Sequence, residues 1–245
     1  MARTAAALII GNELLTGKVK EGNLAFLGKE LFVLGIRLRR VVLCEDDAEV
    51  IADELTALRT AHDLVFTSGG VGPTPDDVTL PGVARSFERP LVRSPLIEGL
   101  IRGHWQERTT EGHLRMAEVP EGAELLHNPE MPWPVVIADN VFVLPGVPEI
   151  FRVKFRLLAE RLGTDVPFVS LALYTMCDEG EIASTLERLE REHPGVAIGS
   201  YPRFRDPEYK TKLTFDAREH RLAQAALEAC VDALPTGCVV RSDGG

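Results

Sequence analysis

DLVFTSGGVGPTPDDVT, residues 63–79, decides how the rest of this chain is read. Leu64, Val65 and Phe66 make a short run of apolar β-formers, and from Thr67 to Thr74 the composition switches to Ser, Gly, Pro and Thr. A buried strand is therefore expected to end in a sharp turn. Gly69, Gly70 and Gly72 lack a Cβ, so the backbone can take left-handed angles and bring its N–H groups close to a ligand, as an anion cradle requires. Asp76 and Asp77 follow at once. A loop offering amides to phosphate oxygens and carboxylates to a cation or a water fits a nucleotide or phosphoester site at the end of a parallel strand. Gly-Gly and Pro-Thr-Pro are also ordinary loop punctuation, and an Asp before a helix is commonly a cap, so this loop's composition alone leaves both readings open.

Upstream the plan repeats. Residues 5–10, AAALII, are apolar without alternation, which fits a strand covered on both faces, as in a parallel sheet between helices. Gly11-Asn12-Glu13 opens the loop behind it, again a glycine with a carboxylate. Asn23 is expected to cap a helix running to about Leu34, with Leu24, Leu27, Leu31 and Leu34 at helical spacing and Gly35 as the stop. Residues 37–43 read as the second strand, closed by the acidic cluster Glu45-Asp46-Asp47, and a helix from 48 to about 60 turns Val50, Ile51, Leu55 and Leu58 inward. Glu13, Asp46 and Asp77 thus stand at the ends of successive parallel strands, and such ends share one edge and one crevice. Each acid alone reads as a solvated loop residue or a helix-dipole partner; three on one edge beside a glycine-rich turn read as a site.

Downstream, Thr79 is the expected N-cap of a helix to about Phe87, with Pro81 in its first turn. Ser94-Pro95 opens a longer helix to about Glu107. His104, Trp105, His113 and Met116 lie in or after it, with packing the expected role of Trp105 and Met116, and no two of these histidines sit at metal-pair spacing. Residues 119–133 read as loop. Strands 135–138 and 141–144 meet at the tight-turn dipeptide Asp139-Asn140. Pro145-Gly146-Val147-Pro148 then leads into a helix to Leu162 whose Ile150, Phe151, Phe155 and Leu158 form one face, and this loop is a candidate wall of the same crevice. From 166 on, strand 168–175, helix 179–193, strands 196–201 and 209–215, helix 221–234 and strand 238–241 spell β-α-β-β-α-β, the ferredoxin-like split motif. The boundary is placed near 163–165, giving domains 1–164 and 165–245. Tyr201-Pro202-Arg203-Phe204-Arg205 reads as a hairpin loop, with a basic contribution to a ligand or subunit interface as the sharper alternative.

The chain's 245 residues, 45% hydrophobic and 26% charged, suffice for two cores. A net charge of −10 argues against a nucleic-acid partner, which needs a Lys/Arg-rich face, but not against a small anionic ligand. Cys44, Cys177, Cys230 and Cys238 show no metal or redox spacing and read as reduced thiols of a cytoplasmic protein. The apolar run near Met1 is too short for a signal peptide or a membrane span, so no membrane association is expected.

GNELLTGK, the EDD cluster, TSGGVGPTPDDVT and LPGVP, in this order and spacing over about residues 5–160, resemble the molybdopterin-binding (MoaB/Mog-like) family, most of all the amino-terminal region of CinA-type competence/damage-inducible proteins. A related domain occurs in some FAD synthases, and residues 166–241 resemble the small domain that follows in CinA-type chains. The resemblance implies a three-layer α/β/α domain with a mostly parallel sheet, then a small α+β ferredoxin-like domain. It implies catalytic aspartates at Asp46 and Asp77. It also implies a ligand held over the GGVGPT loop. With the residues read above, the candidate ligand site is Gly11, Asn12, Glu13, Asn23, Ser68, Gly69, Gly70, Gly72, Pro73, Thr74, Asp76, Thr79, Pro145 and Gly146. The three loop glycine amides and the Ser68 and Thr74 hydroxyls are expected to hold a diphosphate, with Glu13 and Asp76 as second candidates for metal ligand or base. Where Mog-type relatives carry Arg-Asp before Val-Thr, this chain has Asp76-Asp77, which favours a metal-assisted reaction. Pyrophosphate cleavage in ADP-ribose-like or dinucleotide substrates is the expected activity, with a divalent metal, Mg²⁺, on Asp46 and Asp77 and molybdopterin as a possible ligand. A non-catalytic pterin- or nucleotide-binding module and a Mog-like molybdopterin adenylyltransferase stay open as alternatives. The expected partners are a small nucleotide or pterin and further copies of the chain in a dimer or trimer. CinA-type chains often continue into a deamidase domain; this sequence ends at Gly245, so no deamidase activity is expected of it.

Overall fold

Because residues 5–10 contain no polar side chain, both faces of the strand they form must be covered. In the computed structural model, which describes residues 2–204 and 207–244, they lie in β1 (Thr4–Ile10), and each is at most 3% exposed. Ala5, Ala7 and Ile9 join one core and Ala6, Leu8 and Ile10 the other, as a period of two dictates.

The elements that supply those two cores follow in order. They are α1 (Asn12–Leu15), α2 (Leu24–Val33), β2 (Arg37–Cys44), α3 (Ala48–Ala61), β3 (Leu64–Ser68), α4 (Thr79–Ser86), β4 (Leu91–Arg93), α5 (Pro95–Trp105), α6 (Glu111–Arg115), β5 (Glu118–Pro120), β6 (Glu124–Leu126), β7 (Val135–Ala138), β8 (Val141–Leu144) and α7 (Pro148–Leu162). The main sheet runs β2-β1-β3-β8-β7-β6. β2, β1, β3 and β8 are parallel, and β7 and β6 continue it antiparallel. Helices α2 and α7 cover one face through Leu27, Leu31, Phe151, Phe155 and Leu158; α3, α4 and α5 cover the other through Ile51, Leu55, Leu58, Val83 and Ile97. This is the expected three-layer α/β/α domain.

Three details differ from the sequence reading. The stretch 119–133 is not all loop: Val119 and Pro120 belong to β5, which pairs with β4, and β6 extends the main sheet beside β7. Strands of three residues carry too little alternation to register, and their existence depends on a neighbour. The Ser94 helix ends at Trp105 and passes into a 3₁₀ turn at Gln106–Arg108, with Gln106 at φ 50°. Ile150 is 48% exposed, because it precedes Phe151 by one residue, a rotation of about 100° off the face shared by Phe151, Phe155 and Leu158.

Residues 166–244 make a second compact unit. It contains β9 (Val169–Thr175), α8 (Glu179–Glu192), β10 (Ala197–Pro202), β11 (Thr211–Ala217), α9 (His220–Ala233) and β12 (Val239–Gly244), the expected β-α-β-β-α-β order. Its antiparallel sheet runs β10-β11-β9-β12. β11 alternates strictly, placing Leu213 and Phe215 in a core with Ile182, Leu189, Ala226 and Leu227. Phe204 of the β10–β11 loop is exposed, and Arg205 lies outside the described residues. All four cysteines are free, and burial pushes the Cys44 thiol up to about 12. Among the described residues no helix is long and apolar enough to cross a membrane.

Two outcomes follow from this packing. Phe155, fully buried against the Phe26, Phe66 and Phe151 rings, anchors α7 to the sheet, so Phe155→Ala should cost about 3–5 kcal/mol in urea unfolding. Asp63 accepts from the Thr4 amide at 2.7 Å and the Thr4 hydroxyl at 2.8 Å, and these bonds hold its carboxyl below the usual range. Its contribution is therefore present above the unfolded-chain value near 4 and lost as pH falls through the lower folded value, so Asp63→Asn should flatten the acid limb of the stability profile.

Candidate functional site

The register of the parallel strands fixes where their loops begin. Ile10 pairs with Cys44, Ile9 with Ser68, and Ser68 with Leu144. The next residues in each chain segment are Gly11-Asn12-Glu13, Glu45-Asp46-Asp47, Gly69-Gly70 and Pro145-Gly146, so the four loops singled out in the sequence leave the sheet at one edge.

Hydrogen bonds between these loops set their mutual positions. The Gly11 amide donates to the Cys44 carbonyl at 3.2 Å, and the Asn12 amide donates to Asp46 Oδ2 at 2.7 Å. Buried Asn23 donates from Nδ2 to Ser68 Oγ at 3.0 Å and to the Gly146 carbonyl at 2.8 Å, joining three loops through one side chain. It therefore does not cap α2 with that side chain. The Glu21 carboxylate does so instead, accepting from the Asn23 and Leu24 amides. Thr79 is likewise no cap but the first residue of α4. Its buried hydroxyl donates to the Gly69 carbonyl at 2.8 Å, and its amide donates to the Gly70 carbonyl at 3.0 Å.

Two glycines of the β3–α4 loop are sterically required. Gly69 sits at φ 110° and Gly70 at φ 62°; a Cβ on the first would strike the Ile10 carbonyl, and one on the second the Thr79 hydroxyl. The Gly69 amide is spent on the Leu144 carbonyl at 3.2 Å and does not face a ligand. Among the described residues, no hydrogen bond uses the amides of Gly70, Val71 or Gly72. Asp77 Oδ2 accepts from the Thr74 amide at 2.8 Å and the Thr74 hydroxyl at 2.5 Å, and Arg115 donates to the Pro73 carbonyl at 3.1 Å.

Asp46 feels the other acids, while hydrogen bonding, with the Thr74 side chain first, holds the Asp76 carboxyl below its usual value. Burial raises the Asp46 carboxyl above its usual value, the charges of Glu13, Asp76 and Asp77 add to the rise, and the Asn12 amide opposes it. Among the described residues, no three His, Cys, Asp or Glu side chains converge to hold a metal by themselves.

Two cavities flank the loop. One of about 270 Å³ is lined by Gly70, Gly72, Thr74, Asp77 and Arg115 among others. A smaller one of about 100 Å³ lies between Val71, Pro145, Trp133 and Lys154. Trp133 is braced by Trp105, with ring centroids 5.7 Å apart, and Trp105 stacks on His113 at 4.4 Å. Burial pushes the Lys154 ammonium down to about 8. Sequence reasoning passed over Lys154, although a signal was there: it stands at i+3 from Phe151 and i−4 from Leu158, a charged residue on an otherwise apolar face.

Comparison with known proteins bears on both units. A family model described as "Probable molybdopterin binding domain" matches residues 6–164, and one described as "FAD synthase, middle domain" matches residues 167–243. A "Probable FAD synthase" of Caenorhabditis elegans is 32% identical over 253 residues, covering 92% of this chain and 49% of its own length. A "CinA-like protein" of Syntrophus aciditrophicus is 33% identical over 242 residues, covering 90% and 56%. The chain thus spans about half the length of these two relatives. The crystal structure of CinA from Thermoplasma acidophilum, described as of unknown function, is 30% identical with a TM-score of 0.61 over 66% of this chain and 98% of its own.

Gly69→Ala should destabilise the chain by about 1–3 kcal/mol in urea unfolding, because the added methyl meets backbone and the left-handed angle is strained. Asp46→Asn should act in the opposite direction. A folded-state value raised above the unfolded one makes the charged form a cost to folding above that value, and the cost vanishes below the unfolded value near 4. The asparagine Oδ1 can still accept from the Asn12 amide, so the Tm of the ligand-free variant should exceed wild type at pH 7 and converge on it as pH falls towards 3.

Proposed function

This chain belongs to the molybdopterin-binding domain family, and on that premise we propose that residues 2–165 bind a nucleotide or pterin through a diphosphate and hydrolyse that diphosphate with the help of a divalent cation. The observation that carries the reading is the meeting of two opposites at one sheet edge: amides at Gly70, Val71 and Gly72 that the protein leaves unused, beside carboxylates that raise the Asp46 pKa.

The donor set suits Mg²⁺ better than a softer metal. Asp46 and Asp77 each commit Oδ2 to protein hydrogen bonds and retain Oδ1, and Mg²⁺ is commonly held by one or two carboxylates with substrate phosphates completing its shell. A preformed three-residue cage is not needed for such a site. When bound there, the cation would offset phosphate charge and make a water more acidic.

The chain's own groups have the remaining work. The Gly70, Val71 and Gly72 amides bind diphosphate oxygens, and Arg115, beside the same cavity, adds positive charge. Thr74 holds Asp77 in place through its amide and hydroxyl. Glu13, near enough to Asp46 to raise its pKa, accepts the proton that an attacking water loses as its oxygen bonds to phosphorus and the bridging P–O bond breaks. The relatives' names support the substrate class: FAD itself carries a diphosphate between two nucleotide halves.

Incubation of the purified chain with ADP-ribose, FAD and ATP, with and without Mg²⁺, and chromatography for AMP will test this. AMP should appear from ADP-ribose or FAD only with the cation, and Asp77→Asn should lower its rate by roughly 100-fold or more. Tight binding of these compounds without AMP would identify a binding module instead, and AMP transfer from ATP in a parallel incubation with added molybdopterin would identify an adenylyltransferase.

A further inference from the structure

We propose that the small cavity between Val71, Pro145, Trp133 and Lys154 is a ring subsite, and that Lys154 selects ligands whose heteroaromatic ring carries a carbonyl oxygen at its edge. The proposal rests on the reading of the β3–α4 loop as the diphosphate seat and adds to it the chemistry of the group attached.

Position comes first. Val71 lies between Gly70 and Gly72 of the diphosphate loop, and Pro145 follows β8 at the same sheet edge. Val71, Leu80 and Met116 line both cavities, so the smaller adjoins the larger. A ligand whose phosphates meet the Gly70–Gly72 amides therefore has the smaller cavity beside it.

The lining of the cavity narrows the ligand. Its walls include Ile97, Val136, Val143 and the Trp133 indole, which favour a flat apolar body. The lysine is the exception. Its ammonium donates to the Pro134 carbonyl at 2.6 Å, and among the described residues no carboxylate pairs with it. An ammonium has three donors and no acceptor, so two donors remain for a ligand. Withdrawing a cation from water without a counter-ion costs free energy, which a bound acceptor would offset. At about 100 Å³ the cavity takes one edge of a ring system rather than a whole isoalloxazine, and a pterin or an isoalloxazine presents carbonyl oxygens at such an edge. Adenine's edge acceptors are the ring nitrogens N1, N3 and N7, each with one in-plane lone pair against the two of a carbonyl oxygen, so it can take only one of the two free donors at a time, and a hydrocarbon ring offers nothing.

The test compares ligands that share a diphosphate and differ in the ring: FAD, 6-hydroxymethylpterin diphosphate and diadenosine diphosphate. The bare rings riboflavin and lumazine separate the ring subsite from the phosphate seat. Binding is read by calorimetry without divalent cation, and by quenching of tryptophan fluorescence, since Trp105 and Trp133 are the two tryptophans of the sequence and Trp133 lines the cavity. FAD or the pterin diphosphate should bind wild type more tightly than diadenosine diphosphate. Lys154→Met should weaken that oxo-ring ligand by about 10- to 100-fold, the worth of a hydrogen bond to a charged group, and weaken diadenosine diphosphate by clearly less. Lys154→Gln, which keeps a donor, should retain part of the preference. Which of FAD and the pterin diphosphate shows the effect identifies the ring. Equal weakening of all ligands by Lys154→Met, or no preference in wild type, would overturn the proposal. If the diphosphates fail to bind while a bare ring still quenches wild type and not Lys154→Met, the ring subsite stands, and repeating the titration with Mg²⁺ separates a wrong phosphate seat, which still fails, from one that needs its cation.

Discussion

A strand whose side chains are all apolar, as in residues 5–10, has no face to give to water, and helices on both sides are what cover it. Helical cover means that each connection crosses over and returns parallel, so β2, β1, β3 and β8 all deliver their loops to the same edge. The site is thus a by-product of how the core is closed. None of Glu13, Asp46, Asp77 and Gly146 is near another in sequence, yet the pairing of Ile10, Cys44, Ser68 and Leu144 brings their loops together.

What the edge then holds is electrostatically unfavourable by itself. The chain has a net charge of −10, and at Asp46 burial penalises the charge while Glu13, Asp76 and Asp77 add to that penalty. The β3–α4 loop adds backbone held in left-handed angles at Gly69 and Gly70. A loop shape that only glycine can take and an unbalanced charge both need a surrounding structure that fixes them, and here the Thr79 and Asn23 hydrogen bonds supply it. A lysine without a carboxylate partner among the described residues lines a cavity with Val71 and Pro145 of the same loops, bonded to the Pro134 carbonyl rather than to an acid. Opposite charges kept apart in this way can each act on a different part of one ligand.

The architecture was largely legible in the sequence because its signals are long-range averages. Continuous apolar runs in β1 and β3, the i, i+4, i+7 faces of α3 and α7, and the order of elements in residues 166–244 all survive without knowledge of neighbours. The meeting of the acidic loops followed from the same parallel topology. Side-chain destinations were less legible. Asn23 and Thr79 sit where caps belong, and both types cap well, but a buried hydroxyl or amide bonds to whatever tertiary partner lies nearest, and Ser68, Gly146 and Gly69 are nearest only in the folded chain. The strands β5 and β6 were missed for the converse reason, since three residues have no pattern until a partner strand supplies one. Lys154 was passed over because a single charge on an apolar helix face does not announce its partner, and the Pro134 carbonyl reaches it only in the folded chain.

Asn23 touches both the end of β3 and the loop after β8, while its own backbone begins α2. A hydrogen bond at 2.8–3.0 Å tolerates only a few tenths of an ångström of stretch before it fails. Any repositioning of the Gly146 loop must either break that contact or drag the start of α2 along with it. One amide group therefore makes the walls of the crevice mechanically interdependent, so that a disturbance on one side reaches the opposite side without passing through solvent or through a bound molecule.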